Sequence, residues 1–166
     1  MVVSSVRHKV KSSVQPSLNR KGNQLKISAR NALNGKITAV TTGAVNAEVD
    51  LTTAGGDKLV AIVTNDSVKA LGLAVGGEAT ALVKASAVLV LIEGSGLKLS
   101  ARNCLKGKIA KISAGPVSAE VSIALPGGGT VHATITHDAA GELGLKVGSE
   151  ASAVFKASSV ILAVTA

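Results

Sequence analysis

The sequence has no Trp, no Tyr and a single Phe, so its core must be built from Val, Ala, Leu and Ile. Such residues suit thin sheets of β-branched side chains, and a large aromatic-lined pocket is excluded. The one cysteine, Cys104, cannot form an internal disulfide and offers no metal-ligand spacing. It reads as a small buried hydrophobe. The most apolar runs, Ala85 to Ile92 and Ala157 to Ala166, fall well short of the roughly 20 residues a membrane-spanning helix needs. The start, Met1 to Lys11, lacks the apolar stretch of a secretory signal. These absences together lead to the expectation of a cytoplasmic protein with no membrane contact. What remains is a chain that is 46% hydrophobic and 17% charged, with ample material for a packed core.

Sliding the sequence against itself exposes its organisation. At an offset of 72, Leu25 to Ile92 aligns without a gap with Leu97 to Val164, and 32 of 68 positions are identical. The identities cluster in blocks. Ser28-Ala29-Arg30-Asn31 matches Ser100-Ala101-Arg102-Asn103, and Ala47-Glu48-Val49 matches Ala119-Glu120-Val121. Leu71-Gly72-Leu73 matches Leu143-Gly144-Leu145, and Lys84-Ala85-Ser86 matches Lys156-Ala157-Ser158. The chain therefore divides into a basic, flexible tail (1–24), a first domain (25–93), a short joint (94–96) and a second domain (97–166).

Within each copy, Val45, Ala47, Val49 and Leu51, and likewise Val117, Ala119, Val121 and Ile123, alternate with more polar residues, the period of a half-buried strand. Gly55-Gly56-Asp57 and Gly127-Gly128-Gly129 make turns, and Lys58 to Thr64 and Val131 to Thr136 return as strands. Asn65-Asp66-Ser67 offers N-cap residues for one or two helical turns that Gly72 ends, a plan repeated from His137-Asp138 to Gly144. Strands near Glu78 to Val83 and Ala87 to Ile92 complete the unit. The expected fold is all-β: two tandem five-stranded barrels, each with one short helix, closed so that no strand edge is left free. Units of roughly 70 residues are marginal alone, so packing between the copies or between chains is expected.

Charge is uneven. The tail carries Arg7, Lys9, Lys11, Arg20 and Lys21 and no acid, five of the net eight positive charges. No catalytic constellation repeats. His132 and His137 face Val60 and Asn65 in the alignment, and Glu48 and Glu120 are single carboxylates that read as solvated strand residues. The glycine groups lack the Lys-Ser/Thr of a phosphate-cradling loop. The chain is read as a non-enzyme.

What does repeat is a set of residues suited to an oxyanion. Ser28, Arg30 and Asn31 precede the first strand, and Lys84-Ala85-Ser86 lies between the last two; Ser100, Arg102, Asn103, Lys156 and Ser158 repeat the set. A dianion of tetrahedral shape needs converging N–H and O–H donors and one or two cations, because charge-assisted hydrogen bonds are the strong ones. From spacing alone, the same residues read equally as exposed cations and turn-forming serines.

Taken together, Ser28-Ala29-Arg30-Asn31, Gly35-Lys36-Ile37, Gly43-Ala44-Val45-Asn46-Ala47-Glu48-Val49, Leu71-Gly72-Leu73 and Lys84-Ala85-Ser86-Ala87-Val88 resemble the Mop (molbindin, TOBE-type) domain. The second copy resembles it equally. The resemblance implies OB-like five-stranded barrels that bind molybdate or tungstate between Mop units, with no other cofactor and no metal cation. It also implies homo-oligomerisation, as a trimer of two-domain chains. Carried over, the oxyanion ligands would be Ser28, Ala29 through its backbone, Arg30, Asn31, Lys84 and Ser86, and Ser100, Ala101, Arg102, Asn103, Lys156 and Ser158. The Ser-Ala-Arg-Asn edge of one barrel would face the Lys-Ala-Ser edge of another.

Two settings fit such a pair: intracellular molybdenum storage, or the sensing portion of a ModE-type transcription regulator. The 24 residues before the first copy are too few for a winged helix-turn-helix, which argues against DNA reading by this chain. A nucleic-acid-binding OB module is a third reading, encouraged by the net charge of +8. Against it stands the lack of aromatic side chains on which bases could stack.

Overall fold

The computed structural model describes residues 27–92 and 98–165; the expected tail (1–24) and joint (94–96) lie outside the described residues. In the first repeat, β1 (Asn31–Thr42), β2 (Asn46–Thr53) and β3 (Lys58–Thr64) form an antiparallel meander, followed by α1 (Asn65–Leu71) and β4 (Glu78–Val83). A single 3-10 turn, Ala85–Ala87, leads to the short β5 (Leu89–Leu91). The second repeat retraces this path through β6 (Asn103–Ala114), β7 (Ser118–Ala124), β8 (Thr130–Thr136), α2 (His137–Glu142), β9 (Glu150–Phe155), the turn Ala157–Ser159 and β10 (Ile161–Ala163).

The last strand of each repeat belongs to the other repeat's sheet. The strand orders are β10-β4-β1-β2-β3 and β5-β9-β6-β7-β8. In the first, Leu162 stands opposite Ala81; in the second, Val90 stands opposite Ala153. The outer strands β10 and β3, and β5 and β8, then approach each other, so that each sheet curls toward closure as an OB-like barrel. Sequence reading had each barrel complete itself with its own final strand. The chain does otherwise: the 3-10 turn Ala85–Ala87 is flanked by extended residues, Lys84 at φ −68 and Val88 at φ −95, and carries β5 onto the other repeat's sheet.

Curvature is built into the long strands β1 and β6. Their register with β2 and β7 slips between Ile37 and Ala39 and between Ile109 and Lys111, the mark of a β-bulge. At the first bulge, the Ile37 N–H donates to the Gly77 carbonyl, while the Gly76 N–H donates to the Ile37 carbonyl. The chain returning from α1 thus takes up the backbone groups that the bulge frees.

Alternating side chains from both sheets meet in one continuous core containing Val49, Leu51, Leu59, Val83, Val121, Ile123, Val131 and Phe155. Phe155, the sole aromatic residue, is fully buried opposite Asn103. Three local expectations are corrected. Cys104 is exposed, not buried, because it lies on the outward face of β6 between buried Asn103 and Leu105. Val45 and Val117 precede β2 and β7 and are exposed at the hairpin bends, so the inward alternation begins only at Ala47 and Ala119. The helix N-caps are Thr64 and Thr136, whose hydroxyls accept from the N–H groups of Ser67 and Ala139, one residue earlier than the Asn65 and His137 positions suggested.

Gly72 and Gly144 follow the helices at φ 60 and 59, which only glycine adopts freely. Gly55 and Gly127 serve differently: the hairpin turns of the two repeats touch there, and a Cβ on Gly55 would lie 2.5 Å from the Gly127 carbonyl oxygen.

Candidate functional site

The site candidates assemble at the seam between the repeats. Asn31 opens β1 and stands in register with Val83 at the end of β4, so Ser28-Ala29-Arg30 enters the sheet where Lys84-Ala85-Ser86 leaves it. Asn103 and Phe155 pair likewise, bringing Ser100-Ala101-Arg102 beside Lys156-Ala157-Ser158. Within the chain, each Ser-Ala-Arg-Asn segment therefore lies next to the Lys-Ala-Ser segment of its own repeat. The other repeat supplies the facing wall, since the turn Ala85–Ala87 packs against β8 and the turn Ala157–Ser159 against β3. Ladder pairing sets this adjacency: β1 and β4, like β6 and β9, are neighbours, and the motifs sit at matching ends.

The side chains divide by exposure. Ser28, Arg30, Lys84 and Ser86 are exposed, as are Ser100, Arg102, Lys156 and Ser158, while Ala29 and Ala101 are half-buried. Lys84 and Lys156 stand at the starts of the 3-10 turns, whose first N–H groups find no acceptor within so short a helix. Hydroxyls, cations and backbone donors thus lie at adjacent strand ends in each repeat, with the hydroxyls and cations exposed.

Asn31 and Asn103 are different: both are buried, at 1% exposure, and both amides are engaged with the opposite repeat. The Asn31 Nδ2 donates to the His132 carbonyl at 2.8 Å and its Oδ1 accepts from the His132 N–H at 2.7 Å. Asn103 does the same with Val60, at 2.8 and 2.7 Å. Each amide mimics a peptide group and extends the ladder from one sheet into the other. Polar groups that are buried are kept because they are satisfied, and here the partners lie 101 and 43 residues away.

The arginines reach across the same seam. Arg102 donates from both terminal nitrogens to the two carboxylate oxygens of Glu48, at 3.0 Å each. Arg30 approaches one oxygen of Glu120 at 2.7 Å. The other oxygen of Glu120 lies 4.0 Å from His132 Nδ1, which is also 3.0 Å from the Ser122 hydroxyl. Glu48 and Glu120, expected as solvated strand residues, are instead engaged by arginines of the other repeat, and His132 stands beside Glu120. The missed signal was that an arginine and a glutamate recur together in both copies, although neither has an opposite charge nearby in sequence.

Two open surface grooves, of about 620 and 540 Å³, are lined by residues that include Gly35, Lys36 and Glu78 in the first and Gly107, Lys108 and Glu150 in the second. They include none of the candidate ligands. Among the described residues, no group of three or more His, Cys, Asp or Glu is placed to hold a cation, and no helix is long and apolar enough to cross a membrane.

Comparison with known proteins bears on this site. The chain is 43% identical over 140 residues to the molybdenum transport protein ModE of Herbaspirillum seropedicae, covering 84% of this chain and 52% of that one. It is 45% identical over 139 residues to the molybdenum-pterin-binding protein MopA of Rhodobacter capsulatus, again covering 84% and 52%. The chain thus spans about half the length of these relatives. Among solved structures, the cytoplasmic molybdate-binding protein ModG, with molybdate bound, superposes with a TM-score of 0.83 at 52% identity, covering 85% of this chain and all of that one. The TOBE domain model matches twice, over residues 27–90 and 99–162, so the chain belongs to the TOBE-domain family as a tandem pair.

Proposed function

We propose that the protein binds molybdate or tungstate at the inter-repeat seam and serves intracellular molybdenum storage and homeostasis in the cytoplasm. The observation that carries this reading is the likeness, over 85% of this chain, to a molybdate-binding protein at 52% identity and a TM-score of 0.83. The chemistry agrees. A dianion calls for cations, and each repeat brings one lysine and one arginine to adjacent strand ends, Arg30 with Lys84 and Arg102 with Lys156, each arginine turning from its glutamate to reach the ligand. The ligand set comprises Ser28, Ala29, Arg30, Lys84 and Ser86, and Ser100, Ala101, Arg102, Lys156 and Ser158. Asn31 and Asn103 hold the seam and retain one amide N–H each for the ligand. The role is binding, not catalysis.

Assembly into a trimer of two-repeat chains belongs to the same reading. Val45, Val75 and Leu89, and their counterparts Val117, Val147 and Ile161, are each at least 62% exposed. Apolar exposure repeated at matched positions suits burial against further copies. A second reading, the sensing portion of a ModE-type regulator, is favoured by the similarity to a ModE protein across half of that protein's length.

Isothermal titration with sodium molybdate tests the proposal, with sulfate and a short single-stranded DNA as controls. Tight binding of molybdate at one or more ions per chain is expected, lost in the Lys84→Ala/Lys156→Ala variant and absent for both controls. Heat with DNA and none with molybdate would overturn it.

A further inference from the structure

The two oxyanion sites of the reading above are related by the repeat, but their walls are not the same. Around Arg30 the facing strands present Glu120, Ser122 and His132; around Arg102 they present Glu48, Asp50 and Val60. Ser122 and His132 are directly paired across β7 and β8, as Asp50 and Val60 are across β2 and β3. Glu48 and Asp50 are two residues apart on one strand, so their side chains point to the same face. The second wall therefore carries two carboxylates where the first carries one, together with an imidazole and a hydroxyl. One oxygen of Asp50, Oδ1, is buried and has no hydrogen-bond partner, so its charge is poorly screened.

The arginines are restrained to different degrees. Arg102 is held by both oxygens of Glu48, but Arg30 contacts only one oxygen of Glu120, whose other oxygen faces His132. Turning toward an oxyanion costs Arg102 two charge-assisted hydrogen bonds and costs Arg30 one close contact. Both differences act in the same direction.

Resting on the molybdate-binding reading, we propose that the sites are unequal: the Ser28–Arg30/Lys84–Ser86 site binds the dianion more tightly than the Ser100–Arg102/Lys156–Ser158 site, and Asp50 is the main determinant of the difference. One additional carboxylate at a distance on the order of 10 Å from a dianion weakens binding about three- to tenfold at low ionic strength. The imidazole and hydroxyl facing the first site add no compensating negative charge.

The experiment is isothermal titration with sodium molybdate at constant low ionic strength on the full chain and on Lys84→Ala, Lys156→Ala, Asp50→Asn and Asp50→Ser, each checked for native circular dichroism. The unmodified protein is expected to show two affinity classes about three- to tenfold apart. Lys156→Ala keeps the tighter class and Lys84→Ala the weaker, while Asp50→Asn and Asp50→Ser draw the weaker class toward the tighter one. Equal classes in the unmodified protein would overturn the inequality while leaving molybdate binding intact, as would survival of the tighter class in Lys84→Ala. An unchanged weaker class in both folded Asp50 variants would remove Asp50 as its cause. Absence of binding heat in every protein would instead refute the underlying function, and the inference with it.

Discussion

Replacing Asn103 with alanine isolates what holds the two repeats together. The Asn103 amide makes two hydrogen bonds, at 2.7 and 2.8 Å, to the N–H and carbonyl of Val60, and the residue is 1% exposed. Removing the side chain leaves both backbone groups without partners at a buried seam. Each such group costs about 1–3 kcal/mol, so the sum is about 2–6 kcal/mol. Water entering the space vacated by the amide recovers part of this, which places the expected loss near 2–4 kcal/mol. In a domain of this size that lowers the melting temperature by roughly 5–15 °C. Urea denaturation without molybdate is the assay, because it separates a clamp from a ligand. Asn103→Asp provides the control: it keeps an acceptor for the Val60 N–H but sets a carboxylate against the Val60 carbonyl, and should be no more stable than alanine. A loss under about 0.5 kcal/mol for Asn103→Ala would refute the clamp, and a loss appearing only with oxyanion present would make the residue a ligand instead.

Phe155→Ala empties the largest fully buried side chain in the shared core and is expected to cost about 3–5 kcal/mol, measured by the same denaturation; a cost below about 1 kcal/mol would mean that the two sheets do not share that core. Gly127→Ala drives a methyl group into the Gly55 backbone, 2.5 Å from its carbonyl oxygen, and should destabilise by about 1–3 kcal/mol, whereas Gly128→Ala at φ 94 meets no atom within 4 Å and loses stability only through backbone strain. A loss below about 0.5 kcal/mol for Gly127→Ala would argue against the contact between the turns.

Much of the fold was legible because each strand carries its own pattern. Lys58 to Thr64 and Glu78 to Val83 have the bounds that alternation and turn residues suggest. What the pattern does not encode is which copy of a strand completes which sheet. The final strands Leu89–Leu91 and Ile161–Ala163 are both three apolar residues long, so either would suit either barrel. The site was legible as residue types and not as the contacts those residues make. Asn31 sits within a polar block that suggests a ligand, and its amide also bonds a backbone 101 residues away. No local spacing reports that distance. Cys104 was misplaced for a related reason: a type that is usually buried fell on the outward register of a strand whose starting residue sets the alternation.

The strand exchange gives the site its position. Lys84-Ala85-Ser86 occupies the point where the chain leaves its own sheet to cross into the other, and Lys156-Ala157-Ser158 occupies the matching point. Had each final strand folded back onto its own sheet, these turns would have been hairpin tips pointing away from the other repeat. Crossing over instead presses the turns against β8 and β3, beside the strands whose carboxylates hold Arg30 and Arg102. The two asparagine clamps fix the same seam from the side of β1 and β6. An anion bound there would touch segments that every inter-repeat contact already aligns, so little ordering would remain to oppose binding. By the same linkage, occupancy would stabilise the seam as a whole in proportion to the logarithm of ligand concentration.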